Sequence, residues 1–199
     1  MTMKILIDNG HGVGTKGKCS PDRRLLEYAY AREIARRLEK TLKTRGYDAE
    51  RIVTEESDIL LDERCRRVND VCKSLGTDNV ILISVHCNAA GSDGKWHTGH
   101  GWEAWTSVGN TKADTLATHL YAAAERMGFK TRKDMTDGDP DKEGHLYILK
   151  HTLCPAVLTE NLFQDNREDV EYLLSEGGKQ SIVKLHVDGV ESYIKSLSR

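Results

Sequence analysis

A chain of 199 residues, 38% hydrophobic and 30% charged, has the composition of one globular domain rather than of a disordered or membrane protein. Its 29 Lys and Arg against 31 Asp and Glu leave a net charge of −2, which argues against general nucleic-acid binding, since that needs a basic face. No apolar run approaches a membrane span, and Met1-Thr2-Met3-Lys4 leads straight into a strand, so a soluble product without a signal peptide is expected.

Taken in order, Lys4–Gly12 is an apolar strand running into Gly10, His11 and Gly12. A polar, glycine-rich loop follows. Leu26, Tyr30, Ile34, Leu38 and Leu42 then repeat at helical spacing, predicting a helix over 24–45 that Gly46 ends. Glu27 falls in its first turn, where an acidic residue complements the helix N-terminus. Asp48–Thr54 reads as an edge strand, Ser57 and Asp58 as a helix start, and Leu61, Cys65, Val68, Cys72 and Leu75 as one amphipathic stripe. The five cysteines are odd in number and contain no Cys-x-x-Cys, so reduced thiols are expected. Val80–Asn88 is a short β-branched run that ends in Ser84, His86 and Asn88. Gly101–Thr106 alternates as a strand, and Thr111 with Asp114 resembles a capping box before the next helix. Asp137-Gly138-Asp139-Pro140 marks a loop. His145–Lys150 and Ala156–Thr159 read as further strands, Asn166–Leu174 as a short helix and Gly178 onward as a final one. The alternation of strands and helices predicts a single α/β domain over 1–199: three layers, with a mostly parallel mixed sheet of about six strands flanked by helices.

Strand ends carry the chemistry. Ligands in open α/β sheets sit outside the carboxyl ends of the strands, where strand order reverses. His11, His86 and Glu160 each stand at such an end, and Glu27 opens the first helix. A catalytic zinc takes three protein ligands from His and carboxylate and leaves a position open, a set that His11, Glu27 and His86 could supply. Glu160 is then the candidate general acid and base. Cys87 adjoins His86 and would point to the opposite face of its strand, so a closed four-ligand structural site is not expected. Each residue alone also has an ordinary reading, as a hydrogen-bonded strand end or a helix-start acid.

At these residues the chain resembles the zinc-dependent N-acetylmuramoyl-L-alanine amidases, which include cell-division amidases and phage endolysins. Asp8-Asn9-Gly10-His11-Gly12 matches the family's opening Asp-x-Gly-His-Gly, and Glu27 its ligand Glu. Val53–Arg64 looks like its Thr-Arg-x-x-Asp segment, with Asp58, Leu61 and Arg64 in place and Glu55 where the arginine stands. Ser84-Val85-His86-Cys87-Asn88, Gly101-Trp102-Glu103, Pro155–Glu160 and the later Asn166 and Asp169 match in turn. Two departures are Lys16, Lys18 and Cys19 in the first loop, and Asn161-Leu162-Phe163 in place of Leu-Gly-Phe.

The resemblance implies Zn²⁺ on His11, Glu27 and His86, Glu160 as proton shuttle, and hydrolysis of the amide between N-acetylmuramic acid and L-alanine in peptidoglycan. It places Asn88, Trp102 and Glu103 along the substrate groove, with His145 and His151 able to face it and most other histidines on the surface. A monomer acting on the cell wall, reached through a separate pore, is expected. Two competing readings share the residues: a zinc peptidase acting within the stem peptide, and a non-catalytic module that binds cell-wall glycopeptide.

Overall fold

The computed structural model describes residues 3–197. Residues 1, 2, 198 and 199 of the expected domain lie outside the described residues.

Six strands form one sheet in the order β2-β1-β3-β6-β4-β5: β1 Lys4–Asn9, β2 Asp48–Arg51, β3 Val80–Asn88, β4 Glu103–Thr106, β5 Lys142–Glu143 and β6 Ala156–Phe163. All neighbours run parallel except β4 and β6, which are antiparallel. The helices are α1 Glu27–Thr44, α2 Leu61–Leu75, α3 Lys112–Arg126, α4 Tyr147–Lys150, α5 Arg167–Leu174 and α6 Glu176–Ser196. Among the described residues no helix is long and apolar enough to cross a membrane.

Alternation along the strands divides the core in two. Ile5, Ile7, Ile81, Ile83, Val85 and Val157 pack under α1, α3, α5 and α6. Leu6, Val80, Leu82, Ala156 and Leu158 face the smaller cluster, which α2 and α4 cover. The three-layer expectation is met, and β1 lies where strand order reverses, between β2 and β3.

Several boundaries move for local reasons. The Thr111–Asp114 capping box forms, and Asn166 caps α5 by accepting the N–H groups of Glu168 and Asp169. Asp58 does not cap α2, which begins three residues later with no side-chain cap; its carboxylate instead accepts from Thr15 and Arg64. The strand expected over His145–Lys150 is a single helical turn. Lys150 N–H reaches Leu146 O, His151 N–H reaches Tyr147 O, and the consecutive residues Ile148 and Leu149 are both buried. A strand would bury alternate residues, whereas one helical turn can press adjacent apolar residues on the core. The sixth strand is the two-residue β5.

Candidate metal centre

β1 and β3 deliver their histidines to the crevice at the reversal point. Beyond β1 the chain continues through Gly10, whose N–H bonds Val85 O at 3.1 Å. A Cβ on Gly10 would lie 2.2 Å from Cε1 of His86, and one on Gly12 would lie 2.1 Å from the backbone nitrogen of Asp58. The Gly-His-Gly spelling is therefore a steric requirement: the His86 ring rests on one glycine and the α2 approach on the other. His11, between them, has φ +61°.

Glu27 arrives from the first turn of α1 and is 1% exposed. Its Oε1 lies 3.1 Å from Nδ1 of His86 and 3.3 Å from Nε2 of His11, and accepts the Cys87 N–H at 3.1 Å. The two imidazoles meet edge to face with centroids 5.0 Å apart. One ligand atom from each of the three residues falls within 4.8 Å of the others. Cys87 belongs to the other face, in the larger core cluster.

Two features test whether this set suits a cation. Glu27 Oε2 and Glu160 Oε2 are buried with no hydrogen-bond partner, and His11 Nε2 has only the 3.3 Å approach of Glu27 Oε1, an arrangement that costs free energy unless something else meets these atoms. Two imidazoles and a carboxylate are also the donors that first-row transition metals accept. The residues fit a metal ion. Electrostatics agree: burial would raise the Glu27 carboxyl, but the imidazoles of His11 and His86 outweigh it and hold it well below the usual range. Burial would likewise lower His86, and Glu27 reverses that to a net rise.

Glu160 pairs with His86 across β3 and β6. Burial pushes its carboxyl up to about 8, with Glu27 and Glu103 adding repulsion. A cavity of about 270 Å³ opens beside the histidines, walled by Leu61, Leu146, Tyr147 and Leu158.

The groove residues fare differently. Asn88 is half-buried at the end of β3, with its Oδ1 turned onto the Ala89 N–H. Trp102 does not line a groove: it is fully buried, gives its Nε1–H to Asn161 Oδ1 at 3.0 Å and packs edge-on to Tyr121. Glu103 is 2% exposed and ion-paired, so it cannot meet substrate directly. The strand expected over Gly101–Thr106 starts only at Glu103, and Trp102 forms an isolated bridge to Thr131 ahead of it. His145 and His151 are exposed, and His151 stacks on Tyr147 at 4.1 Å. His186, grouped in sequence with the surface histidines, is fully buried.

Sequence reasoning gave Arg64 no role. It is 2% exposed and donates to Asp8 Oδ1, to the carbonyls of Asn9, His11 and Ile59, and to Asp58. Its spacing from Asp58 and Leu61 was the available signal. Leu162 takes φ +63° at the position where the family pattern has glycine.

A three-layer α/β sheet with a His–Glu–His cluster and a half-buried glutamic acid at its carboxyl ends defines a metal-capable enzyme domain. The chain belongs to the N-acetylmuramoyl-L-alanine amidase family, whose sequence model matches residues 5–192. It is 25% identical to an endolysin of Bacillus phage SPP1, over 96% of this chain and 65% of the relative. It is 28% identical to the N-acetylmuramoyl-L-alanine amidase CwlM of Bacillus licheniformis, over 94% of this chain and 67% of that one. The chain thus spans about two thirds of the length of these curated relatives. Among solved structures, the N-acetylmuramoyl-L-alanine amidase of Clostridium difficile 630 matches with a TM-score of 0.81, at 25% identity over 98% of both chains. The catalytic domain of an endolysin targeting Clostridia difficile matches at 0.69, with 28% identity over 96% of this chain and 97% of that one.

Proposed function

We propose that this domain hydrolyses the amide joining the lactyl group of N-acetylmuramic acid to L-alanine in peptidoglycan, with zinc held by His11, Glu27 and His86. The observation that carries the reading is the placement of Glu160, half-buried with its Oε2 buried and without a partner, and paired with His86, next to a donor cluster that has its own unmet atom in Glu27 Oε2. Family membership supplies the substrate class.

When bound, the ion supplies a Lewis acid for the scissile carbonyl. The chain does the rest. Glu27 keeps both imidazoles oriented and is anchored by the Cys87 N–H. Glu160 takes the proton of the attacking water and returns it to the leaving amine of L-alanine, the usual double duty of a buried carboxylate. Burial pushes the Glu160 carboxyl up to about 8, and a cation held by the three donors would favour its ionised, proton-accepting form. Leu61, Leu146 and Tyr147 give the cavity an apolar wall on one side.

Each named group comes from the one chain, which supports a monomer. The kinship with a phage endolysin supports action on the cell wall after release through a separate pore.

The test is mass spectrometry of purified peptidoglycan digested by the protein. New L-alanine amino termini with intact muramic acid are expected. Cleavage within the stem peptide would make it a peptidase, and binding without any product a glycopeptide-binding module.

A further inference from the structure

Glu103 has no part in the chemistry above, yet it stands directly opposite Glu160 in the antiparallel pairing of β4 with β6. Residues directly opposite in such a pair send their side chains to the same face, with Cβ atoms about 5 Å apart. Sheet order then sets out His11, His86, Glu160 and Glu103 in sequence across the carboxyl ends of β1, β3 and β6 and the start of β4.

A buried carboxylate needs compensation, and this one has more than it needs. Arg132 Nε lies 2.7 Å and Lys142 Nζ 3.0 Å from its Oε2, while Trp105 Nε1 donates to Oε1 at 3.0 Å. Two cations thus share the one anion that stands opposite Glu160. Lys142 is partly spent elsewhere: it lies over the Trp105 ring and within the field of Asp134. Arg132 is the freer of the two. Its side chain is 41% exposed, and its guanidinium lies 5.1 Å over the ring of Phe163, the last residue of β6. Only Nε is engaged with Glu103; among the described residues the Nη edge meets no carboxylate or carbonyl. A guanidinium with one edge fixed, its face on an aromatic ring and its fork open is pre-organised for a second carboxylate.

We propose that Arg132, positioned by Glu103 and Phe163, anchors the free carboxylate of the acidic residue that follows L-alanine in the stem peptide, and so selects stem peptides in which that acid is not amidated. The inference rests on the amidase reading. Glu160 serves the leaving amine, so the peptide starts at Glu160 and runs outward, and one residue of extended chain covers about 3.5 Å. Arg132 lies on that side, whereas the apolar cavity of Leu61 and Tyr147 lies on the β1 and β3 side of β6.

The experiment uses the zinc-loaded chain and two muramyl peptides whose acidic residue has its other carboxyl blocked as an amide, one with the free α-carboxylate and one with the α-carboxamide. The Arg132→Gln variant should raise KM for the carboxylate compound roughly 10- to 100-fold, the loss expected for a charge-assisted hydrogen bond, with kcat little changed. KM for the carboxamide should stay near its starting value, and Arg132→Lys should recover part of the preference. Equal effects on both compounds, or none on either, would overturn the anchor and leave the amidase reading standing. If the unmodified protein cleaves neither compound nor purified peptidoglycan, the amidase reading falls and takes the anchor with it.

Discussion

Nη2 of Arg64 lies 3.0 Å from the carbonyl oxygen of His11, the residue held at φ +61° between two glycines. A non-glycine residue in that region costs of order 1 kcal/mol or more and persists only where its surroundings fix it. Arg64 does so by reaching three carbonyls at once and by pairing with the buried Asp8, whose other oxygen accepts from Ser84. Arg64→Met would strand Asp8 as an uncompensated buried charge. The expected loss is about 3–5 kcal/mol, read from urea unfolding. Chelator competition should also show weaker metal binding, because His11 is released. Unchanged metal affinity in a folded Arg64→Met protein would leave the arginine a stability role only.

Gly10→Ala isolates the steric requirement. Its backbone needs no positive φ, so the only cost is the methyl group, set 2.2 Å from the His86 ring. The ring must swing away from Glu27. Metal content should fall sharply while far-UV circular dichroism stays native. A Gly10→Ala protein that keeps its metal would mean that the ring can be met from another position.

The site was more legible in the sequence than the surface around it. Strands β1, β3 and β6 are buried on both faces, so their apolar runs were plain, and polar residues at their ends marked the crevice. The reason for Gly10 and Gly12 shows only in the structure, where a Cβ on either would collide with the His86 ring or the Asp58 backbone. The resemblance put Trp102 and Glu103 along the groove, but both are buried, and no local pattern shows that their partners, Asn161 for one and Arg132 and Lys142 for the other, come from distant segments. The turn at Tyr147–Lys150 was lost to its β-like composition, since four residues are too few for periodicity to separate helix from strand. Arg64 and Arg132 bond backbone carbonyls and a buried acid that are distant in sequence; only the spacing of Arg64 from Asp58 and Leu61 hinted at either.

His186 offers a pH test remote from the metal centre. It is buried under the sheet, donates from Nδ1 to Ile182 O at 2.7 Å and accepts the Thr159 hydroxyl on Nε2 at 2.9 Å. Burial lowers it to about 4 from an ordinary 6.5. The unfolded chain therefore binds the extra proton first as pH falls. The stability tied to neutral His186 is fully present above about 6.5 and is lost as pH drops toward 4, amounting to roughly 3 kcal/mol over that window. Urea unfolding of the His186→Gln variant from pH 7 to pH 4.5 should show a shallower decline than the unmodified chain. Parallel declines would mean that other groups carry the acid sensitivity.

Glu160 and the three metal-facing residues are separable by what each variant keeps. Replacing His11, Glu27 or His86 with Ala removes a donor from a cluster whose atoms lie within 4.8 Å of one another, so zinc content and turnover should fall together. Glu160→Gln differs. At neutral pH without metal the carboxyl, raised to about 8, is already largely protonated, so a neutral amide of the same shape should fold as well. The donor cluster is untouched and zinc should be retained. What disappears is a group able to accept the proton of water and give it to the leaving amine, which lowers the rate by roughly two to four orders of magnitude. Elemental analysis beside turnover on purified peptidoglycan makes the distinction. A Glu160→Gln protein that loses zinc would make Glu160 a ligand, and one that turns over normally would remove it from the chemistry. A Glu27→Ala protein with full zinc occupancy would return Glu27 to the simpler part of an acid at a helix start.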